Sequence, residues 1–131
     1  MSVIFNEIGG ANGGGVKALV VAVSNELTAL APGTGKLTFR MPYAMTLSEV
    51  RASVKTAPTG ANLIVDINLG GVSILSTRLS IDAGEKTSTT AATPPAISNP
   101  TLTDDGEITV DIDQVGATVA GTGLKVVFLG A

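Results

Sequence analysis

The chain of 131 residues has no cysteine, no histidine and no tryptophan, and its only aromatic residues are Phe5, Phe39, Tyr43 and Phe128. Without cysteine there is no disulfide framework and no thiolate metal site. Without histidine the commonest general base and the commonest metal ligand are both missing, so no Ser-His-Asp or Cys-His mechanism can be written. Catalysis would have to rest on a carboxylate pair, a lysine or a bound hard cation. Aromatic platforms for stacking single-stranded nucleic acid are also lacking. The eight basic residues, Lys17, Lys36, Arg40, Arg51, Lys55, Arg78, Lys86 and Lys125, are scattered among eleven acidic ones for a net charge of -3. Nucleic-acid binding needs clustered cations that displace counterions, and no such stripe exists here. Long apolar runs are missing too. The longest, Val16 to Val23, contains Lys17 and falls far short of the roughly 20 residues that span a bilayer. The start, Met1-Ser2-Val3-Ile4-Phe5, has no positive n-region, and Glu7 follows at once. The expectation is a protein made in the cytoplasm, with no membrane and no nucleic-acid partner.

What is present is aliphatic. Apolar residues make up 44% of the chain, mostly Ala, Val, Ile and Leu, while charged residues reach only 15%, against about 25% in an average soluble domain. A surface of Thr, Ser, Ala and Gly with few charges suits a protein that lives against neighbours. Two textures divide the chain. Residues 1–35 are apolar and glycine-rich, with Gly13-Gly14-Gly15 read as a hinge and Pro32-Gly33 as a stop. Within them Leu19, Val20, Val23, Leu27 and Leu30 fit a helical face at three-and-four spacing, although Val20, Val21 and Val23 would also suit a strand. The segment is read as a helix or an irregular N-terminal arm.

From Lys36 to Ala131 the pattern is short β-type runs between turns. Leu37, Phe39 and Met41 alternate with Thr38 and Arg40. Leu47 to Val54 reads as a strand with a bulge near Glu49. Leu63, Val65, Ile67 and Leu69 precede the hairpin signal Gly70-Gly71. Val72 to Ile81 reads as one strand, with Leu75, Leu79 and Ile81 on one face and Ile74, Ser76, Arg78 and Ser80 on the other. The prolines Pro94, Pro95 and Pro100 confine the next stretch to an edge. Ile108, Val110 and Ile112 alternate cleanly after the Asp104-Asp105-Gly106 turn, and Leu124 to Leu129 closes the chain. Such spacing predicts an all-β fold: an antiparallel β-sandwich of jelly-roll type with seven or eight strands over 36–131, preceded by an arm over 1–35.

Several blocks in order carry a family likeness: Met41-Pro42-Tyr43-Ala44-Met45-Thr46-Leu47 with Val50-Arg51-Ala52-Ser53-Val54, then Leu63-Ile64-Val65-Asp66-Ile67-Asn68, Ile74-Leu75-Ser76-Thr77 and Ile81-Asp82-Ala83-Gly84-Glu85-Lys86-Thr87-Ser88. Over residues 34 to 130 the chain resembles a β-sandwich module of tailed-bacteriophage structural proteins, of head-decoration or tail-appendage type. The resemblance implies a virion location, self-association and contact with phage capsid or tail proteins. It supplies no catalytic residues. The function expected is a capsid decoration (cement) protein assembling as a homotrimer, by analogy with the threefold positions of capsid lattices. The alternative is a tail-fibre module touching a host receptor or glycan through loops Asp82–Pro95 and Gly116–Gly123.

No catalytic, cofactor or metal residue is expected. Asp104, Asp105, Asp111 and Asp113, with Asp66 on a neighbouring strand, could gather around Ca²⁺, but outward aspartates on a half-exposed strand also serve to prevent edge pairing. Glu49, Glu85 and Glu107 are glycosidase candidates by residue type alone. The contact surface toward other subunits or the particle is placed on Val16, Leu19, Val20, Val23, Leu27 and Leu30, because exposed apolar side chains mark interaction sites.

Overall fold

The computed structural model describes residues 3–9 as backbone and residues 15–131 in full. The Gly13-Gly14 hinge lies outside the described residues. Among the described residues twelve strands follow in order: β1 Val3–Gly9, β2 Gly15–Ala22, β3 Gly33–Arg40, β4 Met45–Ser53, β5 Leu63–Leu69, β6 Val72–Ser73, β7 Leu75–Thr77, β8 Leu79–Ile81, β9 Ala96–Ile97, β10 Thr101–Leu102, β11 Glu107–Gln114 and β12 Lys125–Gly130. A single 3₁₀ turn, Ser88–Thr90, is the only helical element among the described residues. The fold is all-β and antiparallel. One sheet runs β1-β2-β12-β4-β10; the other runs β3-β11-β5, with β6 and β8 both pairing with β5, and β7 and β9 form a separate ribbon.

Period-two alternation explains why the two sheets face each other. In β11 Ile108, Val110 and Ile112 are buried between more exposed neighbours, and in β12 Val126 and Phe128 are fully buried. In β5 Leu63, Val65 and Ile67 have no exposed surface. Leu19, Phe128 and Val50 lie in one row across β2, β12 and β4. Phe39 of the second sheet meets Phe128 of the first edge to face, with ring centroids 6.0 Å apart. Each such aliphatic or aromatic side chain contributes about 1.5–3 kcal/mol by leaving water.

Turn chemistry fixes the connections. Gly70 and Gly71 both have positive φ, at 60° and 85°, which a two-residue hairpin between twisted strands demands. Gly116 is different: a Cβ there would lie 1.9 Å from the Val119 carbonyl oxygen and 2.7 Å from the Thr59 amide. That close approach stitches the 54–60 and 116–122 loops together, through Thr59 N–H to Val119 O and Thr118 N–H to Thr59 O, both 2.9 Å.

Two expectations are corrected. The segment expected as a helix or arm is strand β2, hydrogen-bonded to β1 on one side and β12 on the other, so residues 15–22 belong to the sandwich and the boundary set at residue 35 falls inside β3. The physical reason is the partner. Leu19, Val21 and Val23 project into the core at spacing two, and β-branched valines prefer the pleated surface that β12 offers. Secondly, Val72–Ile81 is three short strands rather than one. Ser73 Oγ accepts from the Leu75 amide at 3.1 Å, competing with the ladder. The break turns Ile74 inward, where it is fully buried.

Candidate interaction surface

The outward face of the first sheet is built by the residues between the core positions. On β2 these are Val16, Ala18 and Val20; on β12 they are Lys125, Val127 and Leu129; on β4 they are Glu49, Arg51 and Ser53. Val16 is 54% exposed, and Ala18, Val20, Val127 and Leu129 are half-buried, although their neighbours Leu19, Val21, Val126 and Phe128 are fully enclosed. A one-sided antiparallel sheet normally shows polar residues to water. Here the solvent side of β2, and of β12 beyond Lys125 at its start, is apolar. Its border is an ion pair within one strand, Arg51 Nε to Glu49 Oε2 at 2.6 Å with a second bond of 3.1 Å from Arg51 Nη2 to Glu49 Oε1. That bond holds the Glu49 carboxyl below the usual range.

Of the six residues placed on the contact surface from sequence, the structure separates two groups. Val16 and Leu27 are exposed and Val20 is half-buried, whereas Leu19, Val23 and Leu30 are core residues with 0%, 5% and 6% exposure. The last three are therefore corrected to structural residues of their own subunit. The helical period grouped them with Val20; the true period of two sets Val20 on the other side of the strand. Val127 and Leu129 were missed because they sit at the far end of the chain, and only the β2–β12 register joins them to Val20 and Ala18. The end of β2 is tied down by Lys17, whose Nζ donates to the Ala44 carbonyl at 3.0 Å and lies 5.2 Å from the Tyr43 ring centroid. Tyr43 in turn donates its hydroxyl to the Ala18 carbonyl at 3.1 Å.

The carboxylates take a different arrangement from a cation site. Asp66, Asp111 and Asp113 share the outer side of β5 and β11, but Arg78 lies among them, with Nε 3.4 Å from Asp66 and 3.6 Å from Asp113. Asp66 is buried and also accepts from Ser73 Oγ at 2.6 Å and the Ile67 amide at 2.9 Å. Asp111 accepts from Asn68 Nδ2 at 2.9 Å and the Gly35 amide at 2.8 Å. Burial, reinforced by the Asp66 charge, raises Asp113 above the ordinary carboxylate range despite Arg78. Asp104 and Asp105 lie in the turn before β11, at its opposite end. No group of three or more acidic, histidine or cysteine side chains able to hold a metal ion occurs among the described residues. The three candidate glutamates are likewise separate: Glu49 with Arg51 on β4, Glu85 with the Thr90 hydroxyl in the loop after β8, and Glu107 near Arg40, 3.9 Å away, on β11.

The two loops, Asp82–Pro95 and Gly116–Gly123, that the alternative reading expected to touch a host molecule are folded down onto the sandwich. Gly116–Gly123 is stitched to the 54–60 loop, and Gly121 O accepts from the Leu30 amide at 2.9 Å. In Asp82–Pro95, Asp82 Oδ2 accepts from the Ala92 amide at 2.9 Å, and the buried Ser88 hydroxyl accepts from the Ala52 amide at 2.9 Å. Beside this loop Glu49, Val50, Ser88, Thr89, Pro94 and Pro95 line a cleft of about 230 Å³. A wider one of about 520 Å³ opens at one end of the sandwich over Val23, Leu30 and Ile112, with Lys36 at its edge. No family model, curated protein or solved structure matches this chain.

Proposed function

We infer that the chain is a structural subunit of a bacteriophage particle, of the capsid-decoration kind, and that it works by packing against copies of itself and against shell proteins. The observation that carries this reading is the apolar outer face of β2 and β12, which a sheet facing only water would not keep. The strand order adds support. With β2, β3, β4, β5, β8, β10, β11 and β12 taken in turn, successive strands alternate between the sheets at every step except β5 to β8, giving the orders β2-β12-β4-β10 and β3-β11-β5-β8. That interleaving favours the jelly-roll form of the sandwich, an architecture used in viral shells. The sparse charge of the chain and its resemblance over residues 34–130 to phage virion modules point the same way.

The chemistry of such a subunit is burial of apolar area, worth about 25 cal/mol per Å² before the cost of association is subtracted. The test is direct. Purified chain is mixed with phage capsid shells stripped of decoration protein, and the shells are pelleted. Saturable co-sedimentation at a fixed copy number per shell is expected. Chain that stays in the supernatant at every ratio removes the virion role.

A further inference from the structure

We propose that the outer face of the first sheet is a twofold contact to a second copy of the same chain, its axis running along the row Leu19–Phe128–Val50. The inference deepens the self-association reading above and replaces the threefold arrangement with a twofold one. It rests on a pattern in the register. On one side of that row, the outward residues of β2, β12 and β4 are Ala18, Leu129 and Glu49; on the other they are Val20, Val127 and Arg51. A rotation of half a turn about the row lays each strand antiparallel on its own copy. Ala18 then faces Val20, Leu129 faces Val127 and Glu49 faces Arg51 of the second copy. Small meets larger on β2, and acid meets base on β4, so the face is complementary to itself in both size and charge. An isologous dimer requires this self-complementarity.

A second copy is favoured over an unrelated partner because the charges flanking the axis are one carboxylate and one guanidinium at equal distance from it, while Lys125, farther along β12, is already paired with Glu26 of its own chain. A partner of one net sign would leave one of them opposed. Three strands about 4.8 Å apart, each presenting some seven residues at about 3.4 Å, make a face of roughly 14 by 24 Å. Two such faces cover roughly 700 Å² in all, below the range of tight complexes and at the low end reached by weak, reversible ones. Repetition on a shell would strengthen a contact of that size through multivalency.

The test is a charge-swap set studied by sedimentation equilibrium from about 1 µM to 1 mM chain. The native chain is expected to approach twice its 13.1 kDa. Glu49→Arg sets guanidinium against guanidinium across the axis, and Arg51→Glu sets carboxylate against carboxylate. Each should weaken dimerisation at least about tenfold, the effect of opposing like charges at a contact. The double swap Glu49→Arg/Arg51→Glu, and an equimolar mixture of the two single variants, should recover it. Both side chains are half-exposed, and melting curves verify that every variant folds. Single swaps that leave association unchanged, or a double swap that fails to recover it, overturn the proposal, as does a chain that stays monomeric throughout. The shell-pelleting assay separates this from the virion role. A charge-sensitive dimer that never pellets keeps the contact and loses the role, and a swap-insensitive trimer that pellets does the reverse.

Discussion

Replacing Leu19 by alanine decides whether β2 is part of the sandwich or an appendage laid against it. Leu19 has no exposed surface and lies in register with Phe128, which is itself held edge-on by Phe39 of the other sheet. The strand is bonded along both sides, so the backbone cannot sink into the space left behind. Leucine-to-alanine changes in cores cost about 2–5 kcal/mol, with the larger values where the site cannot collapse. About 3–4 kcal/mol is expected here, a large part of the about 5–15 kcal/mol that holds a domain of this kind together. For a chain of this length that corresponds to a fall of roughly 10–20 °C in Tm. Val16→Ala is the control: it is on the same strand, in the same set of six residues, but 54% exposed, and should change stability by no more than about 0.5 kcal/mol. Urea and thermal unfolding followed by far-UV circular dichroism measure both. Equal effects of the two substitutions, or a Leu19→Ala chain melting within about 2 °C of the native one, would refute the reasoning. Deleting residues 1–24 extends the experiment. It removes Leu19, Val21 and Val23, about 5–9 kcal/mol of burial, and should leave no cooperative transition.

Gly116→Ala would drive a methyl group into the Val119 carbonyl and the Thr59 backbone, and should cost at least about 2–3 kcal/mol in the same unfolding assays. Thr122 carries a buried hydroxyl with no hydrogen-bond partner, so Thr122→Val should be neutral or stabilising by up to about 1–2 kcal/mol; a loss would mean the hydroxyl is satisfied in solution. Asp113 has a raised folded pKa, chiefly from burial and then from Asp66, so between the ordinary carboxylate value and the folded one the native state binds more protons and stability falls as pH rises. Asp113→Asn should therefore match or slightly exceed the native chain at pH 7, by no more than about 0.5 kcal/mol because the side chain is 43% exposed, and the difference should vanish near about pH 3. Parallel urea titrations at the two pH values measure it, and marked destabilisation by asparagine at pH 7 would contradict it.

The strands from Leu37 onward were legible because alternation of aliphatic and polar residues is a local signal. Leu63 to Leu69, Ile108 to Ile112 and the Gly70-Gly71 turn all carry it within a few residues. β2 was not legible. Lys17-Ala18-Leu19-Val20-Val21-Ala22-Val23 is apolar at nearly every position, as expected of a strand with one face in the core and an apolar outer face. A run of that kind matches a helical face as well as a strand. Only its pairing with β12 settles the period, and that partner lies roughly a hundred residues away. The interaction surface was half visible for the same reason. Val16 and Val20 could be named from their own segment, whereas Val127, Leu129, Glu49 and Arg51 join them only through the sheet. The break at Ser73–Ile74 was hidden because it depends on a hydroxyl competing for backbone groups, which residue periodicity does not register.

The pairing of β2 with β12 also sets a timetable for synthesis. Lys17 is placed opposite Gly130, so β2 leaves the ribosome long before the strand that completes its sheet exists. At about 5–20 residues per second that delay is roughly 5–20 seconds. Throughout it, Leu19, Val21 and Val23 have no core to enter. Until β12 emerges, the growing chain thus carries a sticky valine-rich stretch whose inner side has not met its full set of partners. Its yield in a cell should depend more on the chaperones that shield this stretch than on the stability of the finished protein.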